Sequence, residues 1–447
     1  MKVAFYLPNA LFPETDCTRV AESNPGIGGT QYLIILIATE LAKRNNGIDV
    51  ILYAQCKGIL PQDAEIRLAS TEEEAILDAD KMGVDIFVDR PLLVDWRSLL
   101  PKLQSNMKIV LWCHNFLRDK MLRISAEQPR ITRLVTVSKE QMDMYRDYPA
   151  FEKSDYIMNT VPYLQQDIEA AQRHPYCKRP HNVVYVGSLV DCKTFDELAA
   201  VWPRVLRKVP DAQLYVIGSG QTYNHSAKLG KYNIADEAFE RKFMPYLIDD
   251  QGKILPSVHF MGNMGAEKNK IILNSKVGVP NPRGFGETFC ISAVEMQLHG
   301  CSVTAMSASG YFDTFINGRV TAHNRSSLAQ SIIDLLLANE PIVPLDQTIS
   351  IINERFSLSV VIEDWERFLK GDLKTHIHPI YPLANKYYRL KWLKELLRKL
   401  KLKFPFFSVI SPIEACSEHW EWYEHKWMRL KEEIAKRTPF SKTTNYY

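Results

Sequence analysis

The chain has 447 residues, 46% hydrophobic and 24% charged, which suits a soluble protein of two domains plus an appendage and excludes a disordered or single-core chain. The net charge of +3 hides a split: residues 386–447 hold fourteen Lys/Arg against seven Asp/Glu, and the rest of the chain holds 41 against 45. The prolines of "MKVAFYLPNALFP" interrupt any signal-peptide core, and no window of about eighteen apolar residues occurs, so a cytoplasmic protein without a membrane span is expected.

In chain order, "KVAFYLP" reads as a buried strand, followed by a Gly/Pro-rich loop and the helix "TQYLIILIATELAKRN", with Leu33, Leu36, Ile37 and Leu41 on one face. The strands "DVILYAQ", "DIFVDR", "KIVLWCHN" and "RLVTVS" follow at spacings that leave room for helices, the pattern of a parallel sheet covered on both faces. Polar, proline-bearing sequence near 164–180 interrupts the pattern. A second series then begins: "VVYVGSL", a helix "TFDELAAVWPRVLRKVP", "AQLYVIGSG", "SVHFMGN", "SKVGVPN" and "CSVTAM". The expectation is an α/β protein of two Rossmann-like domains, 1–165 and 180–365, facing a central cleft, with a returning helix and a basic, aromatic-rich helical extension at 366–447. The eight cysteines form no CxxC pair, and several lie in apolar runs, which favours buried free thiols over disulfides or zinc.

Three stretches carry candidate chemistry. In "NPGIGGTQY" the glycines Gly28 and Gly29 precede a helix whose unpaired N–H groups can receive an anion. The stretch lacks GxGxxG spacing and the downstream acid of a dinucleotide site, and a plain glycine turn explains it equally well. In "VYVGSLVDCKTF", Lys193 stands just before a helix, where it can neutralise phosphate or be a solvated loop lysine. In "NPRGFGETFCISAVEMQLHG", Glu287 and Glu295 lie eight positions apart, the first at the start of and the second within what reads as one helix, 288–300, closed by Gly300. Eight helical residues span about 12 Å, comparable with a sugar–diphosphate–ribose unit, so two carboxylates there could take hydroxyls at both ends of such a ligand. Taken singly, each glutamate is explained as well by a favourable helix-start charge or a basic partner.

The segment "ETFCISAVEMQLHGCSV" resembles the EGFGxxxxEAxAxGxPV signature of the retaining GT-B glycosyltransferases of the family-4 type, the glycosyl transferases group 1. "GIGGTQ", "LWCHN", "VTVSKEQMD" with "IMNTV", "VVYVGSLVDCKTFDELAAVW", "DAQLYVIGSG" and "SVHFMGNM" resemble further family segments in the family's order, over roughly residues 1–370. The resemblance implies that Glu295 holds the ribose, Glu287 the donor sugar, and Lys193 the diphosphate, with His114 beside the donor sugar. It implies further donor contacts from Gly28, Gly29, Gly187, Ser188, Thr288, Phe289 and Cys290, and catalytic roles for His114, Glu287 and Lys193. Ser188 stands where the family places a phosphate arginine, and Cys290 where it places a glycine. The acceptor would meet the N-terminal domain, near the long loop 9–23 and near Arg118 and Arg123. "VDR" (88–90) and "VDW" (94–96) each offer one acid rather than a convincing DxD metal motif, and the implied chemistry uses neither metal nor cofactor: a hexose passes with retention from a nucleotide sugar to a saccharide or lipid-linked acceptor in cell-surface polysaccharide or lipopolysaccharide synthesis. A catalytically silent glycan-binding subunit and a nucleotide-sugar epimerase are the alternatives.

The segment 222–256 exceeds a minimal strand connection and could cover the cleft. In "KYYRLKWLKELLRKLKLKFPFF" (386–407), Leu390, Leu393, Leu397 and Leu400 recur at helical spacing among eight basic residues. A peripheral contact with the inner face of an anionic membrane is expected, against the alternative of leucines packed on the body. The acidic body argues against nucleic acid as partner.

Overall fold

The computed structural model describes residues 1–372, apart from 45, 92, 93, 225 and 285, together with residues 391–404. The first sheet contains β1 (Lys2–Leu7), β2 (Asp49–Ala54), β3 (Glu65–Leu68), β4 (Ile86–Asp89), β5 (Lys108–Cys113), β6 (Ile131–Thr136) and β7 (Ser154–Tyr156). Its order is β3-β2-β1-β4-β5-β6-β7, every pair parallel. The second sheet contains β8 (Asn182–Val186), β9 (Gln213–Ile217), β10 (Val258–Gly262), β11 (Val277–Gly278), β12 (Ser302–Met306) and β13 (Gly318–Thr321). It is also parallel, in the order β10-β9-β8-β11-β12-β13.

Strand order reverses between β1 and β4 in one sheet and between β8 and β11 in the other. Loops leaving the carboxyl ends of strands part at such a point and open a crevice for a ligand. Both crevices open on the same cleft, and the residues that line it come from both domains. The central strands are apolar runs because helices cover both faces: "VAFYL" of β1 and "VILYA" of β2 are buried at every position. Three strands are absent from the sequence reading, β3, β7 and β13. All are short, all lie at or next to a sheet edge, and their sequences "EIRL", "SDY" and "GRVT" lack an apolar run.

The helix Gly29–Lys43 buries Tyr32 through Thr39 and Leu41, wedged between the first sheet and helices that return from the end of the second domain. The returning helix is Leu358–Leu369, so the chain crosses back before the expected boundary at 366. Its Trp365 packs edge-on against Phe5 and Trp112, with ring centroids 6.3 and 4.8 Å away. Glu366 accepts hydrogen bonds from Arg44 and Asn46 of the first domain. Apolar burial of this size locks the return helix to the N-terminal sheet.

The tail helix Lys391–Lys403 docks in an unexpected orientation. Lys394, Glu395 and Arg398 are its buried residues, whereas Trp392 and Leu396 are about half exposed and Leu393, Leu397 and Leu400 are partly buried. Arg398 donates to both oxygens of Asp147, at 3.0 and 2.8 Å, and to the carbonyl of Asp143 at 3.3 Å. A buried acidic site on the N-terminal domain thus selects the charged face of the helix over its leucines, since a desolvated carboxylate must find a cation. Leu390 and residues 405–407 lie outside the described residues. Among the described residues, no helix is long and apolar enough to cross a membrane. Seven cysteines are described and all are free; Cys177 and Cys192 are exposed rather than buried.

Candidate active site

The floor of the site is glycine-built. Gly187 and Gly218 leave β8 and β9 side by side, and Gly187 N–H donates to the Ile217 carbonyl at 3.0 Å. A methyl group on Gly218, whose φ is +131°, would sit 1.9 Å from the Gly187 carbonyl oxygen. Only glycine permits that approach. Above this floor lies a cavity of about 280 Å³ between the domains.

From the second domain come two ion pairs. Lys193 ends a short turn, Asp191–Lys193, after β8, and its Nζ lies 3.3 Å from Glu287 Oε2. Asn281 donates to the same carboxylate oxygen. Burial alone would raise the Glu287 carboxyl, but Lys193 and the hydrogen bonds from Lys193, Asn281 and the Phe289 N–H hold it below the usual carboxylate range. Burial likewise opposes the Lys193 charge, and Glu287 outweighs it, so the ammonium stays above the ordinary lysine range. Further along, Lys268 Nζ lies 3.4 Å from Glu295 Oε1, with the Lys268 side chain buried. The Thr194 hydroxyl accepts from the Arg283 N–H at 3.0 Å and so ties the Lys193 turn to the Glu287 loop.

The second glutamate is helical and the first is not. The helix runs Ile291–Leu298, and Cys290 ahead of it adopts a left-handed conformation with φ 72°, which an α-helix cannot contain. Glu287 therefore stands on the preceding loop rather than at the helix start expected from the sequence. No side chain caps this helix or the helix Gly29–Lys43, and neither has an acid in its first turn. Both N-termini present N–H groups toward the cavity, where Gly28, Gly29, Phe289 and Cys290 form part of its lining.

From the first domain comes His114, just beyond β5. Its ring lies 4.3 Å from that of Trp112, and its Nε2 is buried without a hydrogen-bond partner among the described residues. Burial, with Arg90 nearby, pushes the imidazole down to about 3, so it is neutral at physiological pH. Its carbonyl accepts from the Thr288 hydroxyl at 2.7 Å, across the cleft.

The residues singled out from sequence fall into two groups. Gly28, Gly29, His114, Gly187, Ser188 and Lys193 line the cavity, as do Glu287, Thr288, Phe289, Cys290 and Glu295. Arg118 and Arg123 do not: both are exposed on the helix Asp119–Glu127 and at its start, and Arg123 Nε donates to Asp119 at 2.8 Å. Ser188 is buried and donates to the Ser219 carbonyl at 3.3 Å, so the cationic side chains lining the cavity among the described residues are Lys193 and Lys268. Sequence reading missed Lys268, Asn159, Asn281 and Tyr223. Lys268 opens an unremarkable six-residue helix four residues beyond the "SVHFMGNM" segment, and Tyr223 reaches the cavity from the long segment after β9.

Residues 180–338 match the family model of glycosyl transferases group 1. A curated relative from Haemophilus influenzae, described as an uncharacterized glycosyltransferase, is 21% identical over 368 residues, covering 76% of this chain and 96% of its own length. Among solved structures, Anabaena HepE in complex with UDP and glucose superposes with a TM-score of 0.60 at 14% identity, over 83% of this chain and 100% of that one. A glycosyltransferase of Rickettsia africae gives 0.60 at 14% identity, over 84% and 99%. Sucrose-phosphate synthase of Thermosynechococcus elongatus gives 0.58 at 15% identity, over 83% and 98%. The fold is GT-B, and the resemblance to group 1 glycosyltransferases read from the sequence is borne out.

Proposed function

We propose that the chain transfers a hexose, with retention, from a nucleotide-diphosphate sugar to a saccharide or lipid-linked acceptor in cell-surface polysaccharide or lipopolysaccharide assembly. The observation that carries this reading is the pair of lysine-held glutamates, Glu287–Lys193 and Glu295–Lys268, in one cavity at the carboxyl ends of both sheets. Glu295 takes the ribose hydroxyls, Glu287 the hydroxyls of the sugar, and the diphosphate lies between them against Lys193 and the uncapped N–H groups. UDP is the first nucleotide to try, because HepE was solved with UDP and with UDP-glucose.

Cleavage of the donor places negative charge on the departing diphosphate. Preorganised N–H groups and Lys193 stabilise that charge without reorganising, the largest single contribution such a site can make. Neutral His114 can donate or accept a hydrogen bond at the sugar through Nε2 but cannot add a positive charge there. Glu287 is engaged by Lys193 and Asn281, which suits holding a hydroxyl better than attacking carbon. The departing phosphate then takes the acceptor's proton on the same face, which retains configuration. Lys193 supplies the charge that a metal supplies elsewhere, so transfer is expected to persist in excess EDTA. Release of UDP from UDP-glucose on addition of oligosaccharide acceptors tests the reading, and stoichiometric binding with no release across sugars and acceptors would overturn it.

A protein that binds a nucleotide sugar without turnover is the second reading. Ser188, buried and without charge, favours it, because the diphosphate meets one cation fewer than in the family pattern. The outward face of the tail helix, with Trp392, Leu396 and Lys399 exposed, suits an anionic bilayer and hence a lipid-linked acceptor. Co-sedimentation with phosphatidylglycerol vesicles but not with phosphatidylcholine vesicles is the expected result.

A further inference from the structure

The two walls of the cavity are joined by a closed ring of hydrogen bonds. On the C-terminal side, the Gly310 N–H donates to the Glu287 carbonyl at 3.1 Å. Gly310 is pressed so close that a methyl group there would lie 2.5 Å from the Phe289 nitrogen, so this turn and the donor loop move together. Three residues on, buried Asp313 reaches across the cleft, and its Oδ2 accepts from the Glu140 N–H at 2.9 Å. Glu140 is the second residue of the short helix Lys139–Asp143, and Gln141 follows it.

Gln141 is fully buried and uses its whole amide. Oε1 accepts from the Val137 N–H at 2.9 Å, and Nε2 donates to the carbonyls of Cys113 at 2.8 Å and Asn115 at 3.0 Å. Those carbonyls flank His114 on either side. The ring closes where the His114 carbonyl accepts from the Thr288 hydroxyl at 2.7 Å, beside Glu287. The cleft is thus crossed twice, once at Asp313 and once at Thr288, and both crossings meet the segments that carry His114 and Glu287.

We propose that Asp313 and Gln141 are positioning residues that act through this ring: they set His114 opposite Glu287 when the domains close, without touching the donor. The inference rests on the transferase reading for its catalytic consequence and on geometry alone for the coupling. Asp313 Oδ1 also lies 3.5 Å from Arg355, so the charge and the acceptor oxygen of Asp313 have different partners and can be removed separately. Asp313→Asn keeps an oxygen for the Glu140 N–H and removes the charge; Asp313→Ala removes both.

The test uses the full-length protein without ligand and with UDP or UDP-glucose. In Asp313→Ala, amide hydrogen exchange of residues 113–116 should quicken by about tenfold or more, although the mutated residue lies in the other domain. UDP affinity, by calorimetry, should stay within about threefold, while hydrolysis or transfer from UDP-glucose falls by roughly 10- to 100-fold, as expected for a misplaced group. Asp313→Asn should restore most of both properties. Unchanged exchange at 113–116 in folded Asp313→Ala would overturn the proposal, as would equal damage from Asp313→Asn, which would assign the effect to Arg355. If Asp313→Ala does not fold, Thr288→Val against Thr288→Ser opens the ring at its other crossing: faster exchange at 113–116 in the valine variant alone supports the coupling, and unchanged exchange overturns it. Should the wild type bind no UDP, the transferase reading fails, and the exchange data still decide the ring.

Discussion

The two walls of the cleft are built on opposite principles. The C-terminal wall is charged and paired beforehand: each glutamate already holds a lysine, and the loop leading into Glu287 is cinched by Arg283, Thr194 and Asn281. The N-terminal wall is neutral at its centre. His114 is stripped of charge by burial, and its loop hangs on main-chain carbonyls gripped by Gln141. A wall of fixed charges can bind an anionic diphosphate, whereas a wall of oriented neutral groups can align a sugar without competing for the phosphates. The two walls are thus suited to different tasks rather than to one shared grip.

Breaking the charged wall should have the largest effect. Lys193→Ala is expected to lower transfer by about 10²- to 10³-fold and stability by about 2–4 kcal/mol, since Glu287 is left without its cation. Lys193→Ala with Glu287→Gln should regain stability but not activity, measured by urea unfolding and by UDP release; recovery of both would erase the distinction between the walls. Glu295→Ala should weaken UDP binding by roughly 10- to 100-fold with a smaller change in turnover, read by calorimetry.

The neutral wall should answer to pH. Burial lowers the His114 value from the usual 6.5 to about 3, so the fold favours neutral imidazole. Its contribution to stability is complete above pH 6.5 and is lost as pH falls toward 3, by roughly 2–3 kcal/mol between pH 6.5 and 4.5. His114→Asn should flatten that part of the stability profile in urea unfolding at stepped pH. The transfer rate of the wild type should show no inflection near pH 6.5. The smallest effect belongs to Lys268→Met, which acts only through the orientation of Glu295 and should cost about three- to tenfold in UDP affinity. A loss as large as that of Glu295→Ala would mean that Lys268 touches the nucleotide itself.

The charged wall was the more legible in sequence, and the reason is physical. Charged residues at strand ends stand among glycines and at fixed offsets along a short stretch, so Lys193, Glu287 and Glu295 could be picked out one segment at a time. Grip on a carbonyl leaves no such trace: nothing in "VTVSKEQMD" marks Gln141 as the residue that holds the His114 loop. Lys268 escaped because its partner lies 27 positions away on another helix. The start of the donor helix was misplaced because Cys290 takes a left-handed conformation that its residue type does not announce. Leucine spacing in the tail foretold a helix but not its docked face, which depends on Asp143 and Asp147 more than 240 positions earlier. Arg118 and Arg123 lie outside the cavity, both exposed, and Arg123 pairs with Asp119 of its own helix.

The most direct measurement is a thermal-shift screen of the purified chain against UDP, GDP, ADP and CMP, with Glu295→Ala alongside. One nucleoside diphosphate should raise the wild-type midpoint by on the order of 2–5 °C at saturating concentration, and the variant should lose that rise. If no nucleotide shifted the folded wild type, or if Glu295→Ala responded equally, the donor site between the two lysine-held glutamates would be contradicted.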